Sequence, residues 1–213
     1  MGAVFLDLAV VGAVAYIAGA IPFSFIAGKI FGGIDLREHG SGNLGASNTY
    51  RLLGGKIALA VLAGDVAKGF LPVFLATSTA PNGAVADHWL MIVAAFFAVI
   101  GHMFSVFVRF SGGKGIATAA GALLALSPLV FLASFAVFLV AFAATRIVSV
   151  GSLAGAIALP IAVLVLDKTG VARSHWSLLV VAVVIMIVIV GKHHSNIRRL
   201  IAGEEPALQR SKR

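Results

Sequence analysis

Polar residues that could bind phosphate are concentrated in one short stretch between two long apolar segments. Residues 40–51 read Gly-Ser-Gly-Asn-Leu-Gly-Ala-Ser-Asn-Thr-Tyr-Arg. Glycines allow backbone N–H groups to approach a ligand closely, and successive N–H groups can form an anion-binding concavity. Arg51 adds a planar and permanently charged group that suits phosphate. The stretch therefore predicts phosphate capture, and a flexible polar loop is the alternative interpretation.

A second polar stretch places one lysine among three glycines, at residues 112–115. Bare backbone donors around a point charge make a phosphate or oxyanion clamp. The stretch is not a Walker A loop, because no Ser or Thr follows Lys114. Residues 40–45 formally match a dinucleotide-binding fingerprint, but no strand is expected before them, so we reject that interpretation. The alternative for Lys114 is a lysine that only sets membrane orientation.

Two later segments carry polar residues at helical spacing. Arg146, Ser149 and Ser152 recur every third residue, which would place them on one helix face. His193, Asn196 and Arg199 repeat that spacing. The alternatives are a solvated helix end with serines bonding back to carbonyls, and a basic tail beside anionic lipid.

Three further ionisable residues lie in or at the ends of apolar segments. Asp65 and Lys68 are three residues apart inside a predicted span, so they must face the protein interior or each other, and structural pairing is favoured. His102 ends another span and is equally compatible with a satisfied interfacial histidine and a ligand contact. No cluster in the sequence has metal-ligand spacing, so no metal site is expected.

The composition is typical of a polytopic membrane protein. Hydrophobic residues make up 60% of the 213, charged residues make up 11%, and the mean hydropathy is +1.06. We expect one all-α integral-membrane domain over residues 1–213 and no nucleic-acid partner. The chain has no cysteine, which excludes thioester catalysis, thiolate metal sites and disulfides. The first apolar run lacks a basic leader, so it is interpreted as a retained span.

The distribution of basic residues predicts the topology. Apolar segments cover residues 3–27, 57–76, 88–108, 119–144, 153–166 and 178–190. Ser127-Pro128 would divide 119–144 into a hairpin, because proline breaks a helix. With that hairpin, all the phosphate-type stretches and most of the Lys and Arg residues face the cytoplasm, as the positive-inside rule favours. The prediction is about seven transmembrane helices, with the N-terminus outside and the C-terminus cytoplasmic; a single span over 119–144 is the alternative.

These motifs resemble those of a known family. Residues 41–51, the run Gly101-His102 followed by residues 110–118, the trio Arg146, Ser149 and Ser152, and the C-terminal residues 193–205 are similar in order and spacing to the signatures of the bacterial acyl-phosphate:glycerol-3-phosphate acyltransferases, the PlsY family. The resemblance covers essentially the whole chain. Ser47, Ser105 and Ser111 depart from the residues more common in the family, and Ser111 removes a possible second cation beside Lys114.

The resemblance implies a multi-pass enzyme of the bacterial inner membrane with a cytoplasmic active site and no cofactor. It would transfer a fatty acyl group from acyl phosphate to the sn-1 hydroxyl of glycerol 3-phosphate, giving lysophosphatidate and phosphate. A monomer is the working expectation. On this interpretation Lys114, His193 and Arg51 have catalytic roles, and a substrate phosphate oxygen is the alternative to His193 as proton acceptor. The expected substrate-binding residues are Ser41, Gly42, Asn43, Asn48, Arg51, Gly112, Gly113, Lys114, Thr118, Arg146, Ser149, Ser152, His193, Asn196 and Arg199.

Two other classes of function fit parts of the sequence. A membrane transporter for phosphate or a small organophosphate would also use several spans with glycine-rich, basic interruptions. Only Asp65 and Lys68 would lie near the middle of the membrane, however, where a transport path needs polar lining. A membrane scaffold whose basic loops bind anionic lipid is a weaker third interpretation.

Overall fold

The computed structural model describes residues 2–78, 84–172 and 175–208, and all regular structure in these ranges is helical. The predicted all-α membrane class is confirmed. The sequence Pro81-Asn82-Gly83, Arg173 and the basic residues beyond Leu208 lie outside the described residues. The α-helices are α1 (Gly2–Ala20), α2 (Phe23–Ala27), α3 (Ala46–Leu53), α4 (Gly55–Ser78), α5 (Ala84–Met103), α6 (Ile116–Leu126), α7 (Pro128–Thr145), α8 (Val148–Lys168), α9 (Trp176–Lys192) and α10 (His194–Ile201). A π-helical turn, Gly28–Gly32, follows α2, and a 3-10 turn, Val106–Val108, follows α5.

Several of these helices are long and apolar enough to cross a membrane. Within the described residues there are five such spans, or six if α9 and α10, which are bent by 60°, are counted as one. Helix α6 is also apolar but has only 11 residues, which is shorter than the roughly 20 residues that a bilayer crossing needs. The count of seven spans and the orientation of the termini therefore stay predictions.

The predicted break at Ser127-Pro128 is present. Helix α6 ends at Leu126, Ser127 is non-helical with φ −156° and ψ 90°, and Pro128 occupies the first turn of α7. Proline is well tolerated there because the first N–H groups of a helix have no intrahelical partner. One continuous helix over 119–144 is therefore excluded.

The chain forms two compact units, which divide at the same break. The N-terminal unit runs to Leu126, and the C-terminal unit begins at Ser127. The expectation of a single domain over residues 1–213 stays a prediction.

Small residues bring the helices of the N-terminal unit close together. Helix α1 packs along α5, and α4 packs against both α5 and α6. A Cβ on Gly19 would overlap the backbone of Ala98, and one on Gly69 would overlap the carbonyl of Thr118. In lipid, where apolar surface gives no extra reason for helices to associate, this close backbone approach is a main source of helix packing.

The C-terminal unit is built on α8, which packs against α7 and α9. Gly151 and Gly155 of α8 lie against Phe138 of α7, where an added Cβ would come within 3.0 and 3.2 Å of that residue. The chain after α10 returns to the start of α8, since the Leu208 N–H donates to the carbonyl of Arg146 at 2.9 Å. The polar ends of α8 and α10 are thereby held together with the C-terminal tail.

Candidate functional site

The loop before α3 is organised by the side chain of Asn48. Its Oδ1 accepts the N–H of Ser41 at 2.9 Å, and its Nδ2 donates to the carbonyls of Leu36 and His39, both at 3.1 Å. Asn48 is 0% exposed. Because the amide serves the loop backbone on both its donor and acceptor sides, Asn48 is a loop-forming residue. The expectation that it binds substrate stays a prediction.

Glycine is required at two turns of this loop. Gly40 has φ +62° and Gly42 has φ +68°, a region that other residues rarely adopt. The Gly42 N–H donates to the carbonyl of His39 at 3.1 Å. The N–H groups of Ser41 and Gly42 are therefore used inside the loop rather than offered to an anion. The side chains of Ser41, which is exposed, and of Asn43 and Arg51, which are half-buried, remain as candidate phosphate contacts.

An ion pair ties the same loop to the turn after α5. The Arg37 guanidinium donates to the Asp35 carboxylate through Nη2 at 2.7 Å and through Nε at 3.0 Å, and its Nη1 donates to the carbonyl of Val108 at 3.2 Å. These hydrogen bonds from Arg37 lower the pKa of Asp35 to about 2. Beneath them Leu36, Leu44 and Val108 form a small buried apolar cluster.

The glycine–lysine loop lies directly against this first loop. The Gly113 N–H donates to the carbonyl of His102 at 3.1 Å. A Cβ on Gly113 would overlap the carbonyl of Leu44 and the imidazole of His102, and one on Gly112 would overlap the carbonyl of His102. Gly113 therefore permits close packing between the two loops, and Gly112 permits close packing on the end of α5. Lys114, the next residue, is half-buried.

Thr118, two residues into α6, is 0% exposed. Its carbonyl lies at the close contact with Gly69 of α4. The side chain is therefore buried, and the expectation that Thr118 binds substrate stays a prediction.

In the C-terminal unit a single carboxylate gathers three of the predicted residues. Glu205 Oε1 accepts from Ser149 Oγ at 2.7 Å and from Asn196 Nδ2 at 2.5 Å, and its Oε2 accepts from Arg199 Nε at 2.6 Å. The Glu205 side chain is 5% exposed. The predicted face of α8 and the predicted face of α10 therefore meet around this carboxylate.

Glu205 is the functional candidate that sequence reasoning missed. In the sequence it belongs to the C-terminal segment 193–205 that carries the family resemblance, and the available signal is an acidic residue placed just after the basic helix α10. Burial alone would raise its pKa, but the hydrogen bonds from Ser149, Asn196 and Arg199 outweigh burial and hold the pKa below its ordinary value. Glu205 is therefore a stable anion at neutral pH.

The remaining predicted residues, His193, Ser152 and Arg146, belong to the same unit. His193 is 2% exposed, and its Nδ1 lies 2.8 Å from the carbonyl of Ile189. A carbonyl can only accept, so Nδ1 carries the proton and the lone pair of the neutral ring is on Nε2. Ser152 is buried one turn beyond Ser149. Arg146 directly follows α7 and adopts the left-handed conformation, φ +59°, with an exposed side chain.

The structure thus brings the predicted residues together in two groups. One group joins the loops at 40–51 and 112–114 in the N-terminal unit, and the other joins α8, α10 and the tail in the C-terminal unit. Among the described ranges, no three His, Asp or Glu side chains come close enough to hold a metal ion.

Comparison with known proteins identifies the family to which the chain belongs. The model of the glycerol-3-phosphate acyltransferase family matches residues 9–203. A glycerol-3-phosphate acyltransferase of Trichlorobacter lovleyi is 45% identical over 192 residues, covering 90% of this chain and 92% of the relative. One from Chlorobaculum parvum is 40% identical over 217 residues, covering 92% and 94%. The chain belongs to the glycerol-3-phosphate acyltransferase family.

Two solved structures are similar to this chain and support the same family assignment. The crystal structure of the integral membrane glycerol 3-phosphate acyltransferase PlsY in its glycerol 3-phosphate form is similar to this chain with a TM-score of 0.82 and 37% identity, covering 95% of this chain and 96% of that one. The lysophosphatidic acid form of PlsY gives a TM-score of 0.80 and 36% identity. The resemblance seen in the sequence motifs is confirmed, as is the assignment to an acyltransferase of the membrane.

Proposed function

We propose that this protein transfers a fatty acyl group from acyl phosphate to the sn-1 hydroxyl of glycerol 3-phosphate, releasing lysophosphatidate and inorganic phosphate. Family membership supports glycerol 3-phosphate as acceptor, since the relatives and the solved structures carry that substrate in their names. The observation that carries the acyl phosphate part is the packing of the Gly112–Lys114 loop on the loop at 40–51. That packing places Lys114 and Arg51 in the same unit as two glycine-rich turns. The chain has no cysteine that could form an acyl thioester.

The N-terminal group is assigned to the acyl phosphate. Lys114 and Arg51 supply positive charge for the phosphate that leaves, and Ser41 and Asn43 supply further donors. Fixed charges aimed at a leaving phosphate lower the barrier most when they are already in place before the reaction. Asn48 and the glycines act indirectly by holding the loops.

The C-terminal group is assigned to glycerol 3-phosphate. Arg146 and Arg199 provide cations, while Ser149, Ser152 and Asn196 provide hydroxyl and amide groups suited to phosphate and hydroxyl oxygens. Glu205 already orients three of these side chains, so they lose little freedom when a ligand binds.

The reaction needs one proton to move. The sn-1 oxygen bonds to the acyl carbon, the bond between that carbon and the phosphate oxygen breaks, and the hydroxyl proton passes to a base. The tautomer of His193, with its lone pair on Nε2, suits a proton acceptor. A phosphate oxygen of a substrate is the alternative acceptor. Alignment of the two substrates supplies much of the remaining rate enhancement.

We further propose that the enzyme acts at the cytoplasmic side of the bacterial inner membrane, because its basic loops are predicted to lie on that side. A monomer suffices for this assignment, since every proposed residue is in one chain.

The test uses detergent-purified protein with palmitoyl phosphate and glycerol 3-phosphate, with phosphate release and lysophosphatidate followed together. Palmitoyl-coenzyme A serves as a parallel donor. Product from palmitoyl phosphate alone is expected. Equal or greater product from palmitoyl-coenzyme A would overturn the donor assignment. No product from either donor, with the protein shown to be folded, would overturn the enzymatic proposal and favour flux measurements in proteoliposomes.

Two variants then test the residue roles. Lys114→Ala should lower kcat by at least 100-fold, in the range seen when one transition-state donor is removed, about 10²–10³. Activity within a few-fold of the wild type would contradict the role of Lys114 as a phosphate clamp.

His193→Ala should lower turnover if His193 accepts the hydroxyl proton. Near-normal turnover of this variant at saturating substrate would show that a phosphate oxygen of a substrate accepts the proton instead.

A further inference from the structure

A buried cluster of three ionisable side chains lies beneath the Gly112–Lys114 loop. Asp65 and Lys68 of α4 and His102 at the end of α5 are 2%, 6% and 7% exposed. Lys68 Nζ lies 2.8 Å from Asp65 Oδ1, and His102 Nδ1 lies 3.5 Å from the same oxygen. The distance between the His102 ring and Asp65 is therefore longer than that of an ordinary hydrogen bond.

This cluster reaches the loop through His102. The carbonyl of His102 accepts the Gly113 N–H at 3.1 Å, and the Nε2 side of its ring lies where a Cβ on Gly113 would overlap it. The imidazole therefore stands between Asp65 and Gly113. Lys114 follows Gly113 directly, so the position of the ring constrains the backbone that carries Lys114.

The cluster also reaches the break between α1 and α2. Lys68 Nζ donates to the carbonyl of Ile21 at 2.7 Å, at the break between α1 and α2. A small cavity connects these parts, and its lining includes Ser24, Lys68, His102 and Gly113. The three ionisable groups thus connect the break between α1 and α2 with the Gly112–Lys114 loop.

Stability alone does not explain three such groups in one helix contact. Taking charges out of water is costly, and well-packed apolar residues in place of a buried ion pair are often as stable or more so. In membrane proteins, ionisable residues inside spans are rare and are commonly tied to function. The three side chains are at least 93% buried, so we look for their effect in the backbone that they contact.

We propose that Asp65, Lys68 and His102 are positioning residues that hold Gly112 and Gly113 in the conformation that presents Lys114 to the acyl phosphate. This inference rests on the proposed function of Lys114. Asp65 orients the imidazole, Lys68 balances the charge of Asp65 and fixes it to the helix break, and the imidazole supports Gly113.

The main variant for the test is Asp65→Asn with Lys68→Met, which removes both charges together and leaves neither partner buried alone. His102→Ala is the second variant, and it keeps the proposal testable if the double variant does not fold. Tyr16→Phe is the matched control, because it removes the hydrogen bond from the Tyr16 hydroxyl to the carbonyl of Phe104, two residues from His102, without touching the cluster.

Two measurements separate positioning from simple folding. Hydrogen exchange of the peptide covering residues 111–118 reports the hydrogen bond from Gly113 to His102 and does not depend on activity. The KM for palmitoyl phosphate reports the site of each folded molecule, because a smaller folded fraction changes the apparent kcat but not KM.

Both variants should exchange at residues 111–118 at least tenfold faster than the wild type and should raise the KM for palmitoyl phosphate at least fivefold. The KM for glycerol 3-phosphate should stay within twofold. His102→Asn should show a smaller change in exchange and in KM than His102→Ala, and Tyr16→Phe should match the wild type in both measurements.

Unchanged exchange at 111–118 in a folded variant would overturn the proposal. Faster exchange with an unchanged KM for palmitoyl phosphate would overturn it as well. A wild type that makes no product would refute the proposed function instead, and faster exchange in the variants would still support the holding of the loop.

Discussion

The two groups of site residues are each organised by one buried side chain, but in opposite ways. In the N-terminal unit Asn48, a neutral amide, bonds to the backbone at Leu36, His39 and Ser41. In the C-terminal unit Glu205, a carboxylate, bonds to the side chains of Ser149, Asn196 and Arg199. The first organiser shapes a loop, and the second aligns functional groups directly.

This difference has consequences for what each unit tolerates. An amide that both donates and accepts cannot be replaced by an acid without placing oxygen against oxygen, since carbonyls only accept. A carboxylate that receives three donors depends on its charge, because hydrogen bonds to charged groups are stronger than those between neutral groups. The N-terminal loop should therefore be sensitive to donor geometry, while the C-terminal cluster should be sensitive to ionisation and hence to pH.

The largest effect should follow Asn48→Asp, which tests the geometric half of the comparison. The new carboxyl would face the carbonyls of Leu36 and His39 in a site that is 0% exposed. Leaving buried polar atoms without donors, or burying an unpaired charge, costs about 3 kcal/mol or more. We expect a large fall in the melting temperature in detergent, measured by tryptophan fluorescence, and no acyltransferase activity.

Asn43→Asp is the matched control, because Asn43 is half-buried in the same loop and the substitution makes the same chemical change. Its melting temperature should stay near that of the wild type. If both variants lose the same stability, the loop is sensitive to negative charge in general, and Asn48 is not its organiser.

A smaller effect should follow Glu205→Gln, which tests the charge half. The glutamine keeps the shape but loses the charge and directs an NH₂ group toward donors. Losing charge-assisted hydrogen bonds should cost about 2 kcal/mol at pH 7. The KM for glycerol 3-phosphate should rise, since Ser149, Asn196 and Arg199 lose their common acceptor.

The charge of Glu205 also predicts how the stability difference between the wild type and Glu205→Gln changes with pH. The folded state holds the pKa of Glu205 below its ordinary value, so its contribution is fully present above the ordinary glutamate pKa, about 4.3. That contribution is lost as the pH falls through the lowered folded value. The stability difference between wild type and Glu205→Gln should therefore be constant near neutral pH and shrink in acid. A difference that is equally large in strong acid would show that shape, rather than charge, organises the cluster.

The same comparison explains which parts of the molecule could be predicted from sequence. Helix formation, the break at Ser127-Pro128 and the placement of Ser149 and Ser152 one turn apart on α8 all follow from local rules of apolar length, proline chemistry and helical spacing. The role of Asn48 does not, because residues from seven to twelve positions before it fold back onto its side chain. Spacing marks a polar residue in a glycine-rich loop but does not say whether it faces the ligand or the loop.

Glu205 and the buried cluster show the same limit over longer distances. Glu205 reaches Ser149, 56 residues earlier, only after α9, α10 and the tail have folded. Asp65 and Lys68 were expected to pair from their spacing inside a span, and they do. The approach of His102 to that pair depends on how α4 packs on α5, which no local pattern specifies.

The smallest effect should follow Asp35→Asn. This variant tests whether a carboxylate also contributes to the stability of the loop that Asn48 organises. Its partner Arg37 has a side chain that is 31% exposed, and ion pairs with that much water contribute about 1 kcal/mol or less. The pKa of Asp35 is lowered to about 2, so its contribution is present above the ordinary aspartate pKa, about 3.9, and is lost as the pH approaches 2. We expect Asp35→Asn to lower the melting temperature by a few degrees at pH 7 and to leave the KM for both substrates unchanged. An effect as large as that of Glu205→Gln would mean that charge organises both units, and the contrast between the amide loop and the carboxylate cluster would fail.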